Sequence, residues 1–180
     1  MSRPFYTSFA WAYDLLIQEP VAERLEFVTG MWAKRGVTRG AHVLDAGCGT
    51  GRYSVALAKR GFKVTGIDAS PEQITEATKR QEGSETEVDF RVADICILQA
   101  IPSVDAILCR GVLNDLTDDA SRQAVFPAFA EMLRPGGALV LDVREWRATE
   151  ERKRRCPVFE REVETDTGLL KFRSVTELRP

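Results

Sequence analysis

The chain has 180 residues, of which 44% are hydrophobic, with 25 Lys and Arg against 27 Asp and Glu and a net charge of -2. That length suffices for one domain with a substantial core, and the near balance of charge gives no electrostatic drive toward nucleic acid or an anionic membrane. Four separated cysteines without a C-x-x-C pair and a single histidine, His42, point to neither a disulfide framework nor a metal site. No apolar run approaches a membrane span and the first residues lack a secretory-leader pattern, so a cytoplasmic protein is expected.

After an aromatic-rich opening, residues 20–35 place Val21, Leu25, Val28 and Trp32 at helical spacing, with Pro20 at an allowed first-turn position and Gly36 beyond the end. An alternation follows: strand His42–Ala46, helix Arg52–Lys59, strand Lys63–Asp68, helix Pro71–Gln81, strands over 88–93 and Val104–Cys109, a helix over 118–133 and a strand over 138–143. Strands separated by helices imply parallel βαβ units. Ser70, Pro71 and Gln73 form a capping-box pattern, Thr117 is the expected cap of the long helix, "RPGG" at 134–137 is expected to stop it, and Pro127 to kink it. The runs "HVLDA", "VDAILC" and "ALVLDV" are almost wholly apolar, as in strands covered on both faces. The expected fold is therefore α/β, a doubly wound, mostly parallel sheet. From Val158 the apolar and charged residues alternate on both sides of "DTG", which reads as an antiparallel hairpin with one wet face. The run "ERKRR" at 151–155 reads as a solvated face.

Gly47, Gly49 and Gly51 occupy the loop between the first strand and its helix. In an open α/β sheet that loop lies where ligands bind, and residues without Cβ let a ligand reach main-chain amides. A dinucleotide fingerprint reads G-x-G-x-x-G, whereas here Arg52 occupies the last position, which disfavours nicotinamide cofactors. Asp68 closes the second strand, where an acid holds ribose hydroxyls in either kind of nucleoside site.

The segments "VLDAGCGTGRYSVALAKRG", "VTGIDASPEQITEA", "FRVADI", "VDAILCRGVLNDL" and "MLRPGGALVLDVRE" resemble, in order and spacing, the successive motifs of class I S-adenosylmethionine-dependent methyltransferases. The resemblance covers roughly residues 40–145. It implies S-adenosylmethionine as cofactor and a small-molecule methyl acceptor. Asp45, Gly47, Gly49 and Gly51 would line the methionine part, Asp68 would take the ribose hydroxyls, and Asp94, with the main chain of Ile95, would receive the adenine amino group. The carbonyls of Cys109 and Arg110 would face the cofactor's α-amino group. Of Tyr6, Trp11 and Tyr13, the last is the best placed to cover the sulfonium with an aromatic face.

Methyl transfer is an in-line displacement, so positioning can supply much of the catalysis; a hydroxyl acceptor adds the need for a base. Asn114, Asp115 and Glu145 follow the fourth and fifth strands at the cofactor end and are the candidates for a base or clamp. His42 lies at the opposite end. "NDL" lacks the N/D-P-P-Y/F pattern of related enzymes acting on nucleic-acid bases. Residues 1–180 are expected to form one domain: an aromatic segment and helix over 1–36, a cofactor-binding core over 40–145 and a lid or edge hairpin over 156–180. Family members normally continue with two further strands. Either this chain is shortened or the hairpin replaces them, and an uncovered fifth strand invites a homodimer through the sheet edge. A non-catalytic S-adenosylmethionine-binding protein with an incomplete acceptor site is the competing expectation.

Overall fold

The computed structural model describes residues 4–97 and 103–176; residues 1–3 of the opening segment and 177–180 of the expected hairpin region lie outside them. Five parallel strands, β1 (His42–Ala46), β2 (Lys63–Asp68), β3 (Val88–Val92), β4 (Val104–Cys109) and β5 (Leu133–Leu141), form one sheet in the order β3-β2-β1-β4-β5. The chain steps outward from β1 to β3 and then crosses to β4. Strand order therefore reverses between β1 and β4, and the carboxyl ends of these two strands mark the crevice where such sheets bind ligands.

Alternation along the buried strands assigns side chains to two cores. Val43, Val64, Ala106 and Leu108 face α2 (Val21–Ala33) and α3 (Arg52–Lys59), where Leu25, Val28, Trp32 and Leu57 complete one cluster. A third helix, α4 (Pro71–Gln81), lies beside α3 with Ala77 directed at Phe90 of β3. Leu44, Ile107 and Cys109 face the other way, against Val125, Phe129 and Met132 of α5 (Asp119–Met132). The sheet is doubly wound, as the near-continuous apolar strands required.

Local chemistry departs from the sequence expectation at three places. Asp118, not Thr117, caps α5: its backbone is extended and its Oδ1 accepts the Ser121 N–H at 2.7 Å. A carboxylate one residue nearer the first turn reaches the free amides that a threonine at 117 cannot. "RPGG" is not a loop but the start of β5, which begins at Leu133 directly after the helix and carries an irregularity opposite Val104 and Ala106. Glycine is needed there, since a Cβ on Gly137 would lie 2.9 Å from the Arg134 carbonyl. Pro127 stays inside α5. A helix the sequence pattern did not announce, α6 (Trp146–Arg155), contains the basic run; Glu150 pairs with Arg154 at 2.7 Å, and Glu151 with Arg155, one turn apart.

The hairpin forms as expected from β6 (Val158–Thr165) and β7 (Gly168–Val175). It makes a separate two-stranded sheet and does not supply the strands beyond β5, which is an edge among the described residues. Its inner face meets the amino-terminal segment: Phe172 packs on Phe5 with ring centroids 5.0 Å apart, and Arg161 donates to the Leu16 carbonyl at 2.8 Å. Among the described residues no helix is long and apolar enough to cross a membrane.

Phe129 is 1% exposed at the centre of the α5 face. Phe129→Ala is expected to destabilise the fold by about 3–5 kcal/mol through lost burial and a residual cavity. Asp118→Ala is expected to cost about 1 kcal/mol and Thr117→Ala much less. Urea denaturation of the three variants checks this, and equal effects at 117 and 118 would refute the cap assignment.

Candidate functional site

A cleft of about 850 Å³ opens over the carboxyl ends of β1, β2 and β4, at the reversal of strand order. Its floor is the glycine loop. Gly47 and Gly51 both have positive φ, 76° and 74°. A Cβ on Gly47 would stand 2.1 Å from Val112 Cγ2, so this glycine lets the loop after β4 close beside the floor. A Cβ on Gly51 would meet Phe90 Cζ at 2.7 Å and Ala77 Cβ at 2.9 Å. The close packing that a third glycine supplies in dinucleotide sites is thus made by Gly51, and Arg52 is free to reach the amino-terminal segment, donating to the carbonyls of Ile17 and Glu19 at 2.9 and 3.0 Å.

Two acids flank this floor. Asp68, at the end of β2, accepts the Gly49 N–H on Oδ2 and the Ser70 N–H on Oδ1, both at 2.9 Å. Burial pushes its carboxyl up from the ordinary range, and the amide bonds from Ser70 and Gly49 pull the other way. Ser70 caps α4 by accepting the Gln73 N–H at 3.1 Å. The reciprocal half of the expected capping box is absent, because the Ser70 N–H is taken by Asp68 and the Gln73 amide donates to the Phe5 carbonyl at 3.4 Å. Gln73 Oε1 is buried, has no hydrogen-bond partner among the described residues and lies next to Gly49.

Asp45, on β1, is only 3% exposed and accepts a hydrogen bond from Ser54 Oγ of α3. Burial pushes its carboxyl up to about 6, against the Ser54 bond and the Arg110 charge that favour ionisation. Asp94 lies at the far rim with one oxygen capping its own turn through the Cys96 N–H at 2.8 Å, and Ile95 is buried beside it.

The amino-terminal segment roofs the cleft. Tyr6 and Tyr13 line it, 6.0 Å apart between ring centroids, whereas Trp11 is 46% exposed and outside it. The segment is held by polar contacts the sequence pattern did not disclose. Asp14, on the short α1 (Tyr13–Leu16), accepts from Thr50 Oγ1 at 2.9 Å and pairs with Arg80. Glu19 accepts from Arg24 at 2.6 Å, from Arg110 at 3.2 Å and from the Tyr53 hydroxyl at 3.2 Å. Arg110 also lies 4.4 Å over the Tyr53 ring and bonds Asp142 at 2.9 Å. "YD" and an acid before Pro20 were the available signals; apart from Arg24, five positions from Glu19, their partners lie 34 to 91 positions away along the chain and had no local mark.

The remaining expected residues divide. Cys109 is fully buried below the cleft and its carbonyl accepts the Asp142 N–H at 3.2 Å, so of the pair with Arg110 only Arg110 lines the cleft. Asp115 lines it and accepts from the Tyr6 hydroxyl at 2.9 Å; Asn114 also lines it and accepts the Arg144 N–H at 2.8 Å. Glu145 is not at the site: it is the N-cap of α6, with its oxygens on the amides of Arg147 and Ala148, because the chain leaves β5 and turns straight into that helix. His42, bonded to Thr65 Oγ1 at 2.9 Å, lies at the opposite end of the sheet.

A doubly wound sheet with a glycine loop and a carboxylate meeting at its switch point is a nucleoside-binding architecture. The family model described as "Methyltransferase domain" matches residues 43–137. The chain belongs to that family, with the class I S-adenosylmethionine-dependent methyltransferase fold. It is 39% identical over 120 residues to the ubiquinone biosynthesis O-methyltransferase of Xanthomonas campestris pv. campestris (strain B100), covering 66% of this chain and 47% of that protein. With the protein of that name from Xylella fastidiosa (strain 9a5c) it shares 40% over 119 residues, 64% of this chain and 45% of the other. The chain spans about half the length of these relatives. A crystal structure of an S-adenosylmethionine-dependent methyltransferase from Clostridium acetobutylicum ATCC 824 superposes with a TM-score of 0.72 at 21% identity, covering 88% of this chain and 64% of that one.

The buried Asp45 makes stability depend on pH. Its folded value of about 6 stands above its ordinary 3.8, so the penalty is absent below about pH 4 and grows as pH rises through 6, reaching roughly 3 kcal/mol. Asp45→Asn is expected to remove that decline, and its unfolding free energy should gain on the wild type between pH 4 and 7. Parallel pH profiles for the two proteins would contradict the burial argument.

Proposed function

We propose that the chain binds S-adenosylmethionine in this cleft and transfers its methyl group to a small-molecule acceptor by in-line displacement. The observation that carries the reading is the junction of the glycine loop with Asp68, where an acid at the end of β2 is tied to a loop amide on the floor of the cleft. The residues fit the cofactor's chemistry. Asp68 offers acceptor oxygens to two ribose hydroxyls, and Asp94 at the far rim accepts the adenine amino group next to the Ile95 main chain. Asp45 and the loop glycines line the methionine part, the Arg110 carbonyl receives the α-amino group, and the Tyr13 ring covers the sulfonium.

Bound S-adenosylmethionine supplies a methyl on positively charged sulfur. The protein's part is then to exclude water and align the acceptor, which the roof of Tyr6 and Tyr13 and the floor of glycines do from opposite sides. The names of the Xanthomonas and Xylella relatives support an oxygen acceptor. For a hydroxyl, Asp115 is the carboxylate on the acceptor side that takes the proton, oriented by the Tyr6 hydroxyl, with Asn114 holding the end of β5 in place. Residues 1–180 act as one domain, with 40–145 as the cofactor core and the hairpin of 156–180 as a lid over the roof. Free thiols at all four cysteines accord with a cytoplasmic setting, and the open edge of β5 is the surface through which two copies pair. A monomer in sedimentation equilibrium would overturn the pairing.

Calorimetry with S-adenosylhomocysteine and NAD tests the reading. The former is expected to bind and NAD not. Asp68→Ala should weaken S-adenosylhomocysteine by about 1.5–3 kcal/mol, roughly ten- to a hundredfold. Unchanged affinity would remove Asp68 from the ribose site, and binding without turnover on any acceptor would favour a non-catalytic cofactor-binding protein.

A further inference from the structure

Four arginines line the cleft: Arg24, Arg52, Arg110 and Arg144. Three are committed. Arg24 pairs with Glu19, Arg52 donates to the Ile17 and Glu19 carbonyls, and Arg110 spans Glu19 and Asp142. Arg144 differs. Its main-chain N–H is fixed to Asn114 Oδ1 at 2.8 Å, which ties the end of β5 to the loop after β4, but its guanidinium makes no ion pair or hydrogen bond among the described residues. The neighbouring acids have other partners: Asp142 is taken by Arg110 and Asp115 accepts from Tyr6. A cation thus stands at the solvent-facing mouth of the cleft, on the acceptor side, while every comparable charge around it is held within the protein.

Resting on the methyltransferase reading above, we infer that the methyl acceptor carries a carboxylate and that Arg144 is the residue that recognises it. A planar guanidinium binds a carboxylate through two parallel hydrogen bonds, which fixes orientation as well as position. Such a clamp at the mouth leaves the rest of the acceptor to lie between Tyr6, Tyr13 and Asp115, toward the cofactor. A monoanion fits better than a phosphate dianion, because Asp115, Asp142 and Glu19 surround the same end of the cleft and repel a second negative charge.

The test uses the full chain saturated with S-adenosylhomocysteine and matched acid and amide probes: benzoate against benzamide, salicylate against salicylamide, phenylacetate against phenylacetamide. Saturation-transfer NMR with competition titrations reads their binding. The acids are expected to bind at least tenfold more tightly than the amides. Arg144→Gln should abolish that difference while S-adenosylhomocysteine still binds, which also shows the variant folded, and Arg144→Lys should restore part of it. Equal binding of acids and amides, or a preference that survives Arg144→Gln, overturns the inference and leaves the cofactor reading standing. Failure of the wild-type chain to bind S-adenosylhomocysteine overturns both.

Discussion

The Gly49 N–H bonded to the Asp68 carboxylate joins the loops that end β1 and β2, and the rest of the site is arranged around that contact. Asp68 is oriented by two amides, one from the floor and one from the cap of α4, so the same carboxylate aligns the glycine loop and starts the next helix. Gly51 then admits Phe90 and Ala77 at distances no side chain would allow, drawing α3, α4 and β3 together beneath the floor. A loop shaped for a ligand is in this way also a packing element. Its glycines serve close approach from both sides, and disturbing one is expected to affect fold and binding together.

The roof is held differently. Residues 5–19 bury few large apolar groups and are retained by polar contacts to the elements they cover: Asp14 to Thr50 and Arg80, Tyr6 to Asp115 and Ser70, Gln73 to Phe5, and Glu19 to three cleft residues. Partly exposed ion pairs of this kind are individually weak, and a segment that depends on several of them opens at lower cost than the sheet beneath. That is a suitable property for a cover that must admit a nucleoside. The aromatic series from Tyr13 through Phe5 and Phe172 to Phe159 links the roof to the hairpin, so movement of one is felt by the other.

Thr117, Glu145 and Gln73 depart from the sequence expectation for one shared cause. Thr117 and Asp118 are both good caps, and only the turn of the backbone at 118 decides between them. Glu145 has the composition of a catalytic acid and the position of a helix cap, and the chain's immediate turn into α6 settles the choice. Gln73 looks like half of a capping box until Ser70 gives its amide to Asp68. In each case a polar side chain has two local uses, and the choice depends on a neighbour that sequence spacing does not identify.

By itself the sequence determined the strand and helix alternation, the parallel sheet, the helix phases of Leu25, Val28 and Trp32, the hairpin and the glycine loop with its acid. These follow from periodicity, apolar runs and turn residues, which act over a few positions. Tertiary structure decided what those signals leave unspecified: the strand order with β5 at an edge, the separation of the hairpin from the main sheet, the burial of Asp45 and the partners of Asp14, Glu19 and Arg110. Among the described residues it also left the Arg144 guanidinium without an ion pair or hydrogen bond. The physical reason is range. Dihedral preference and amphipathic pattern are local, whereas burial and ion pairing belong to surfaces assembled from distant parts of the chain and exist only once the sheet has brought them together.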